Sequence, residues 1–347
     1  MLFGRKPHVM NTSVKLYGSD QFGLICGYLF HPVSGSRVIS SEQAANWLLQ
    51  EKDTPSEGFI WLHFNLANTA SEKWLARYLQ LSEVFYEALH EGVRSTRIEY
   101  VDDTLIAVIN DVLFDFSFEA SDVATLWLSV NERVVISARA KPLRSIDRLR
   151  AAVKGGENFT SPVDLLVHLL RDQADVLTLI VRDVADKVDH VEDRLLANKL
   201  ERNRANLGNA RRLLIRLQRL LAPEPSALFR LLNRPPIWMA EDDLQNFRQS
   251  TEEFSTVLRD MTSLQERIKL LQEEIAAYIN EQNNRSLFVL TTVTVLALPI
   301  NIIAGLLGMN VGGIPLAEST EGFWVVVCIV ATFTAIAGWL AFGRERD

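Results

Sequence analysis

At 347 residues, 48% of them hydrophobic, the chain is long enough for two or three domains and a sizeable core. Its 36 Lys and Arg against 43 Asp and Glu give a formal net charge of -7, which removes the sequence-independent attraction to phosphate backbones and argues against a nucleic-acid partner. The two cysteines, Cys26 and Cys328, lack a neighbouring Cys or close His of zinc-site spacing and read as small hydrophobes; with no phosphate loop, zinc-protease motif or nucleophile elbow, neither enzyme activity nor a cofactor is expected.

The N-terminal stretch MLFGRKPHVMNTS lacks the continuous apolar core of a signal peptide, so the first part of the chain is expected in the cytoplasm. From about Ser13, apolar runs rich in β-formers (FGLICGYLF, FIWLHFNL, TLIAVINDVLFDF, VATLWLSV, ERVVISA) alternate with helical patterns around Ser41 to Gln50, Ser71 to His90 and Leu143 to Lys154. Residues 1–160 therefore read as an α/β domain. The cluster KGGENFTSPVD closes it, with Ser161 placed to cap a helix and Pro162 in its first turn.

In 161–238 an acidic helix from Asp164 to about Asn198 is followed by a basic antiparallel candidate, LGNARRLLIRLQRLLA, which the breakers Pro223 and Pro225 end; the opposite charges predict a helical hairpin. After Pro236 a further helix starts near Glu241, and neither Pro nor Gly interrupts it before Pro299. Its apolar residues, Leu244, Phe247, Phe254, Leu258, Met261, Leu264, Ile268, Leu271, Ile275 and Tyr278, form one three-four seam once Thr251 fills the gap. Residues 239–285 are thus the stalk of a helix about 100 Å long at 1.5 Å per residue.

Two stretches, 286–308 and 323–342, contain no ionisable residue other than Cys328, and each has the roughly 20 residues that cross a bilayer as a helix. Trp324 and Trp339 stand near opposite ends of the second, as interfacial aromatics do. Arg267, Lys269 and Arg285 precede the first stretch and Arg344 and Arg346 follow the second, whereas the loop 309–322 has no basic residue and carries Glu318 and Glu321. The loop is expected outside, and both termini, including the tail 343–347, in the cytoplasm.

Two spans from one chain cannot enclose an aqueous path, and Asn301 has no strongly polar partner in the second span, so several copies are expected to assemble. The helical period places Gly308, Gly305, Asn301, Leu298, Thr294, Leu290 or Thr291, Leu287 and Asn284 on one face. Around an axis these residues would form polar rings near both ends of a hydrophobic constriction, with Thr294 as a wet step inside it. The alternative for Thr294 is a hydroxyl bonded back to its own helix. Gly305 and Gly308 allow close helix approach.

The run LPINIIAGLLGMN, Leu298 to Asn310, at the end of the first of two C-terminal spans after a long helix, resembles the signature of the CorA family of divalent-cation transporters, whose hallmark is the Gly308, Met309, Asn310 triplet. The continuation VGGIP is similar to the zinc-transporting branch more than to the magnesium members. The resemblance implies an α+β membrane protein of the bacterial inner membrane. It also implies a homopentamer with a cytoplasmic α/β domain, a funnel of long helices, a pore lined by the first spans, and a periplasmic loop. It makes Asn310 a ring of carbonyl oxygens at the outer entrance and implies Zn2+ as the transported ion, with Mg2+, Co2+, Ni2+ and Cd2+ as alternatives and coupling to protons as a feature of the zinc branch. Asn301 stands where the family commonly has Thr.

Neutral oxygens attract a divalent cation without the deep well a carboxylate ring would create, and the first span offers no Cys, His or carboxylate for dehydrated zinc. Stronger ligands lie in the cytoplasmic helix: His168 with Asp172 one turn on, and Asp186, His190 and Asp193 on neighbouring turns. The same spacing also fits a solvated acidic face, with Arg171, Arg182, Lys187 and Arg194 available for pairing. The remaining histidines, His8, His31, His63 and His90, show no spacing pattern. A membrane-anchored sensor is the reading of a different class, and a magnesium, cobalt or nickel channel the one of the same class.

Overall fold

The apolar runs become strands because the sheet they build is covered on both faces, which is why they read as near-continuous rather than alternating. The computed structural model describes residues 18–32, 34–51, 58–79, 81–90, 96–119, 121–197, 204–309 and 321–343. Its strands are β1 (Leu24–His31), β2 (Gly35–Val38), β3 (Phe59–Asn65), β4 (Arg97–Val101), β5 (Thr104–Val112), β6 (Val123–Val130) and β7 (Val134–Arg139). Its helices are α1 (Ser41–Glu51), α2 (Thr69–Tyr78), α3 (Glu83–His90), α4 (Arg144–Lys154), α5 (Pro162–Leu196), α6 (Arg204–Leu221), α7 (Pro223–Asn233), α8 (Glu241–Leu307) and α9 (Gly322–Gly343).

The strands form one mixed sheet in the order β2-β1-β3-β7-β6-β5-β4. The pair β3 and β7 is parallel and the other neighbours are antiparallel. The period of two along β3 divides its side chains: Ile60, Leu62 and Phe64 pack with Trp74, Leu75 and Phe85 of α2 and α3, whereas Phe59 and Trp61 join Leu149 of α4, Leu166 of α5 and Leu228 of α7. The result is a three-layer α+β domain.

The structure revises three local expectations. The helix expected over Ser71 to His90 is two, because Leu79 turns extended (φ -120, ψ 134) after α2. The breakers Pro223 and Pro225 do not merely end α6; they open α7, whose first turn tolerates a missing N–H. Strand β4 was absent from the pattern because its residues are all half-buried; it pairs with β5 through a two-residue turn at Asp102 and Asp103, both at positive φ (49 and 57) as a type I′ hairpin requires.

Other local signals hold. Ser161 caps α5 by accepting from Asp164 N at 3.0 Å, with Pro162 in the first turn. The α8 seam is buried at Phe247, Thr251, Phe254, Leu258, Met261, Leu264, Ile268, Leu271 and Ile275, and Thr251 donates to Phe247 O at 2.8 Å. Helix α8 is continuous for 67 residues, through Pro299. The chain divides into two compact units between Leu270 and Leu271.

Candidate functional site

In the second unit the apolar part of α8 is almost bare: Leu287, Leu290, Leu298, Ile302 and Leu306 are each more than half exposed. Its less exposed positions are Thr292, Leu296, Ala297, Pro299, Ile300, Ile303 and Leu307, all but Ala297 recurring at helical spacing on one face, as do Gly322, Val326, Val330 and Thr334 on α9. These are the faces the chain itself partly covers. At about 100° per residue, the stripe Leu287, Leu290, Thr294, Leu298, Asn301, Gly305 and Gly308 lies roughly half a turn away from the covered face of α8. Thr291 and Asn284 are exposed as well.

The Asn301 amide makes no hydrogen bond and a Cβ at Gly305 would meet nothing within 4 Å, so nothing among the described residues uses either. The Thr294 hydroxyl donates to Leu290 O at 2.8 Å, which realises the helix-bonded alternative and leaves its oxygen lone pairs, not its proton, for a passing water. Gly308 and Met309 follow the last turn of α8, with Gly308 N bonded to Ala304 O at 2.9 Å. Asn310 and Glu318 lie outside the described residues; Glu321 is exposed just before α9.

The cytoplasmic candidates do not converge. His168 contacts Glu157 through Nδ1 at 3.3 Å and Asp172 through Nε2 at 3.4 Å. Opposite ring nitrogens cannot place both carboxylates on one ion held by the imidazole, and Asp172 also accepts from Arg148 Nε at 3.1 Å. Burial pushes the Asp172 carboxyl up to about 6, against the pull of His168 and Arg148. This is an ion-pair lock between α4 and α5. Asp186 and His190 line a separate exposed cleft of about 590 Å³ with Asp183, Lys187 and Phe118, and Asp193 is exposed beyond them. Among the described residues no group of three or more His, Cys, Asp or Glu is arranged to hold a metal ion.

The acidic face of α5 is in large part paired, but mostly by residues of other helices: of Arg171, Arg182, Lys187 and Arg194, only Lys187 forms an ion pair among the described residues. Lys187 meets Asp183 at 2.5 Å and lies 3.9 Å from the Phe118 ring centroid. Arg267 of α8 bridges Asp189, at 2.6 Å, and Glu192.

Sequence reasoning missed the buried polar groups under the sheet. Asp111 on β5 caps α4 from a distance, accepting from Ser145 N at 3.0 Å and Ser145 Oγ at 2.7 Å, because the cap residue Leu143 has no side-chain acceptor. The one available signal was an Asn-Asp pair interrupting the apolar run TLIAVINDV. His63 is buried and held neutral, below its ordinary range, by desolvation and by Arg139. Arg139 Nε donates to its Nε2 at 3.1 Å, so Nδ1 carries the proton and donates to Ser137 Oγ at 2.8 Å.

The CorA-like Mg2+ transporter protein family model matches residues 56–344. The divalent cation transporter CmaX of Pseudomonas aeruginosa is 30% identical over 332 residues, covering 94% of this chain and 97% of that protein. The zinc transport protein ZntB of Yersinia enterocolitica is 27% identical over 286 residues, 82% of this chain and 87% of that one. Among solved structures, full-length CmaX matches with a TM-score of 0.79 at 28% identity, over 95% of this chain and 99% of its own. The CorA magnesium transporter of Methanocaldococcus jannaschii, at 18% identity, shares the fold with a TM-score of 0.73 over 90% and 96%.

Proposed function

This chain belongs to the CorA family of divalent-cation transporters, and from that premise we propose that it moves zinc into the cytoplasm through a homopentameric pore in the bacterial inner membrane. Family membership favours a transporter over a membrane-anchored sensor and over an enzyme. The first spans of five copies line the pore, the second spans surround them, and both termini are cytoplasmic.

The observation that carries the reading is the stripe from Asn284 to Gly308, left exposed on the side of α8 away from the face the chain covers. Apolar helices this bare have to be covered by lipid or by other copies. A face bearing an unpaired amide and open glycines is the one to turn inward, since an unsatisfied polar group in hydrocarbon is costly. In a ring, Leu287, Leu290 and Leu298 form the restriction and Asn301 a polar step. Gly308, Met309 and Asn310 make the outer mouth. Its neutral oxygens hold a hydrated cation weakly enough to release it.

Zinc is favoured by the ZntB relatives and by the VGGIP continuation; the stripe, with no Cys, His or carboxylate, does not select it over magnesium. Uptake of zinc and of magnesium into proteoliposomes, with and without a pH gradient, separates the two. Zinc uptake that an inward proton gradient accelerates supports the reading; uptake of magnesium alone makes the protein a magnesium channel, and no flux of either ion overturns transport by this pore.

A further inference from the structure

Under the sheet, where α7 begins, lies a carboxyl group that pore chemistry does not use. Glu224, the second residue of α7, is fully buried between Pro223 and Pro225. It lines a small cavity of about 20 Å³, which is room for about one water. The rest of the lining has no ionisable group: it is Ile98 of β4, Leu128 of β6, Leu170 of α5, Phe247 of α8 and similar side chains.

The polar neighbours are few. Gln173 of α5 donates from Nε2 to Asn110 O at 2.7 Å, which fixes the orientation of its amide, and lies 3.4 Å from Glu224 Oε2. Asn110 of β5 donates to Leu220 O of α6 at 3.3 Å. Asp111 of β5 is the titratable group whose charge bears on Glu224. It is satisfied by Val112 N and Ser145, and is buried.

Two buried oxygens, Glu224 Oε1 and Gln173 Oε1, have no hydrogen-bond partner among the described residues. Both are acceptors when the carboxyl is ionised, so the group is short of a donor. A proton on Glu224 supplies one. The start of α7 favours an anion through its backbone dipole, but this is weaker than the cost of a charge among aliphatic side chains beside another carboxylate.

We infer that Glu224 is a proton-binding site, held as the neutral acid in the packed domain, and that losing this proton loosens α7 from the sheet, so that pH acts on α7 through this carboxyl. Desolvation first and Asp111 second push the group well above the ordinary carboxylate range, which agrees in direction. A carboxyl raised in the folded state contributes stability that is complete below its unfolded value and is lost as pH rises through the folded one. Other buried groups leave a clean window. Asp111 and Asp172 titrate at about 6, the Cys26 thiol is raised to about 11, and neutral His63 contributes only as pH falls below its ordinary 6.5. Above pH 6.5, where these contributions fall away, the slope that remains and that a Glu224 variant loses belongs to Glu224.

The test is hydrogen–deuterium exchange on the full-length protein in detergent, following peptides of α7 across that window after correction for intrinsic rates. The wild type is expected to lose α7 protection by up to about tenfold per pH unit. Glu224→Gln and Glu224→Met, the second serving if the first does not fold, should be flat. Infrared spectra at neutral pH should show a protonated-carboxyl band that either variant lacks. An ionised Glu224 satisfied by a trapped water would give no such band and no slope, which overturns the inference; an equal slope in the variants does the same. None of these readouts depends on which ion the protein carries.

Discussion

The two compact units of the chain treat apolar residues in opposite ways. In the first, Trp61, Phe64, Leu126 and Leu149 are 0% exposed, and α8 buries its seam. In the second, Leu290, Leu298, Leu306, Trp324 and Trp339 are each more than half exposed. The sheet domain completes its core within one chain. The two C-terminal helices leave their apolar surface to a solvent or partner the single chain does not contain, and only one face of α8 mixes amide, hydroxyl and glycine with the leucines. Identical substitutions should therefore cost stability in one unit and alter conduction in the other.

The largest expected effect is at the outer mouth. Asn310→Ala deletes the proposed oxygen ring while leaving helix packing unchanged, and zinc uptake should fall to background with assembly intact; wild-type flux in an assembled variant would remove Asn310 from the mechanism. Next comes a matched pair. Leu126→Ala should destabilise the sheet domain by about 2–5 kcal/mol, because a fully buried leucine leaves a cavity. Leu290→Ala should leave its unfolding midpoint unchanged but raise leak by widening the hydrophobic restriction. If thermal melts and flux assays gave the reverse pattern, the distinction between the units would fail.

A pH effect sharpens the first side of the comparison. Burial raises the Asp111 carboxyl to about 6, so its contribution to stability is complete below the ordinary value of 3.8 and lost as pH rises towards 6. Asp111→Asn, which keeps an acceptor for Ser145, should reduce the pH dependence of the melting temperature in that window without abolishing it, since Asp172 and Glu224 are raised over the same range. Glu318→Gln with Glu321→Gln should weaken cation capture at low ionic strength and leave the response to a pH gradient intact, since two screened carboxylates per chain raise local cation concentration only. Loss of the pH response instead would make them proton sites. Least consequential is Arg267→Ala: its bridges to Asp189 and Glu192 are close to half exposed, so chemical denaturation should register no more than about 1 kcal/mol.

Periodicity made much of this legible in advance. The strands from FIWLHFNL, VATLWLSV and ERVVISA, the Ser161 cap, the seam of α8 and the polar stripe all follow from spacing, because the side-chain periods of strand and helix are fixed by backbone geometry. What spacing could not reach depends on tertiary neighbours. Pro223 and Pro225 look like breakers until the chain on either side is seen to be helical. His168 and Asp172 look like ligands until Glu157 and Arg148 take up their outer atoms. Glu224 and Asp111 look like surface carboxylates until the sheet closes over them. Asn310 came from a motif, not from a period.

The central claim is that the stripe through Asn301 faces an axis shared between copies. With Cys26 and Cys328 replaced by Ala, a single cysteine at Asn301 (Asn301→Cys) should form disulfide-linked dimers under mild oxidation in native membranes. A single cysteine on the face that the chain covers, Ile303→Cys, should not. Linked dimers from Ile303→Cys with none from Asn301→Cys would put the stripe against lipid and contradict the pore.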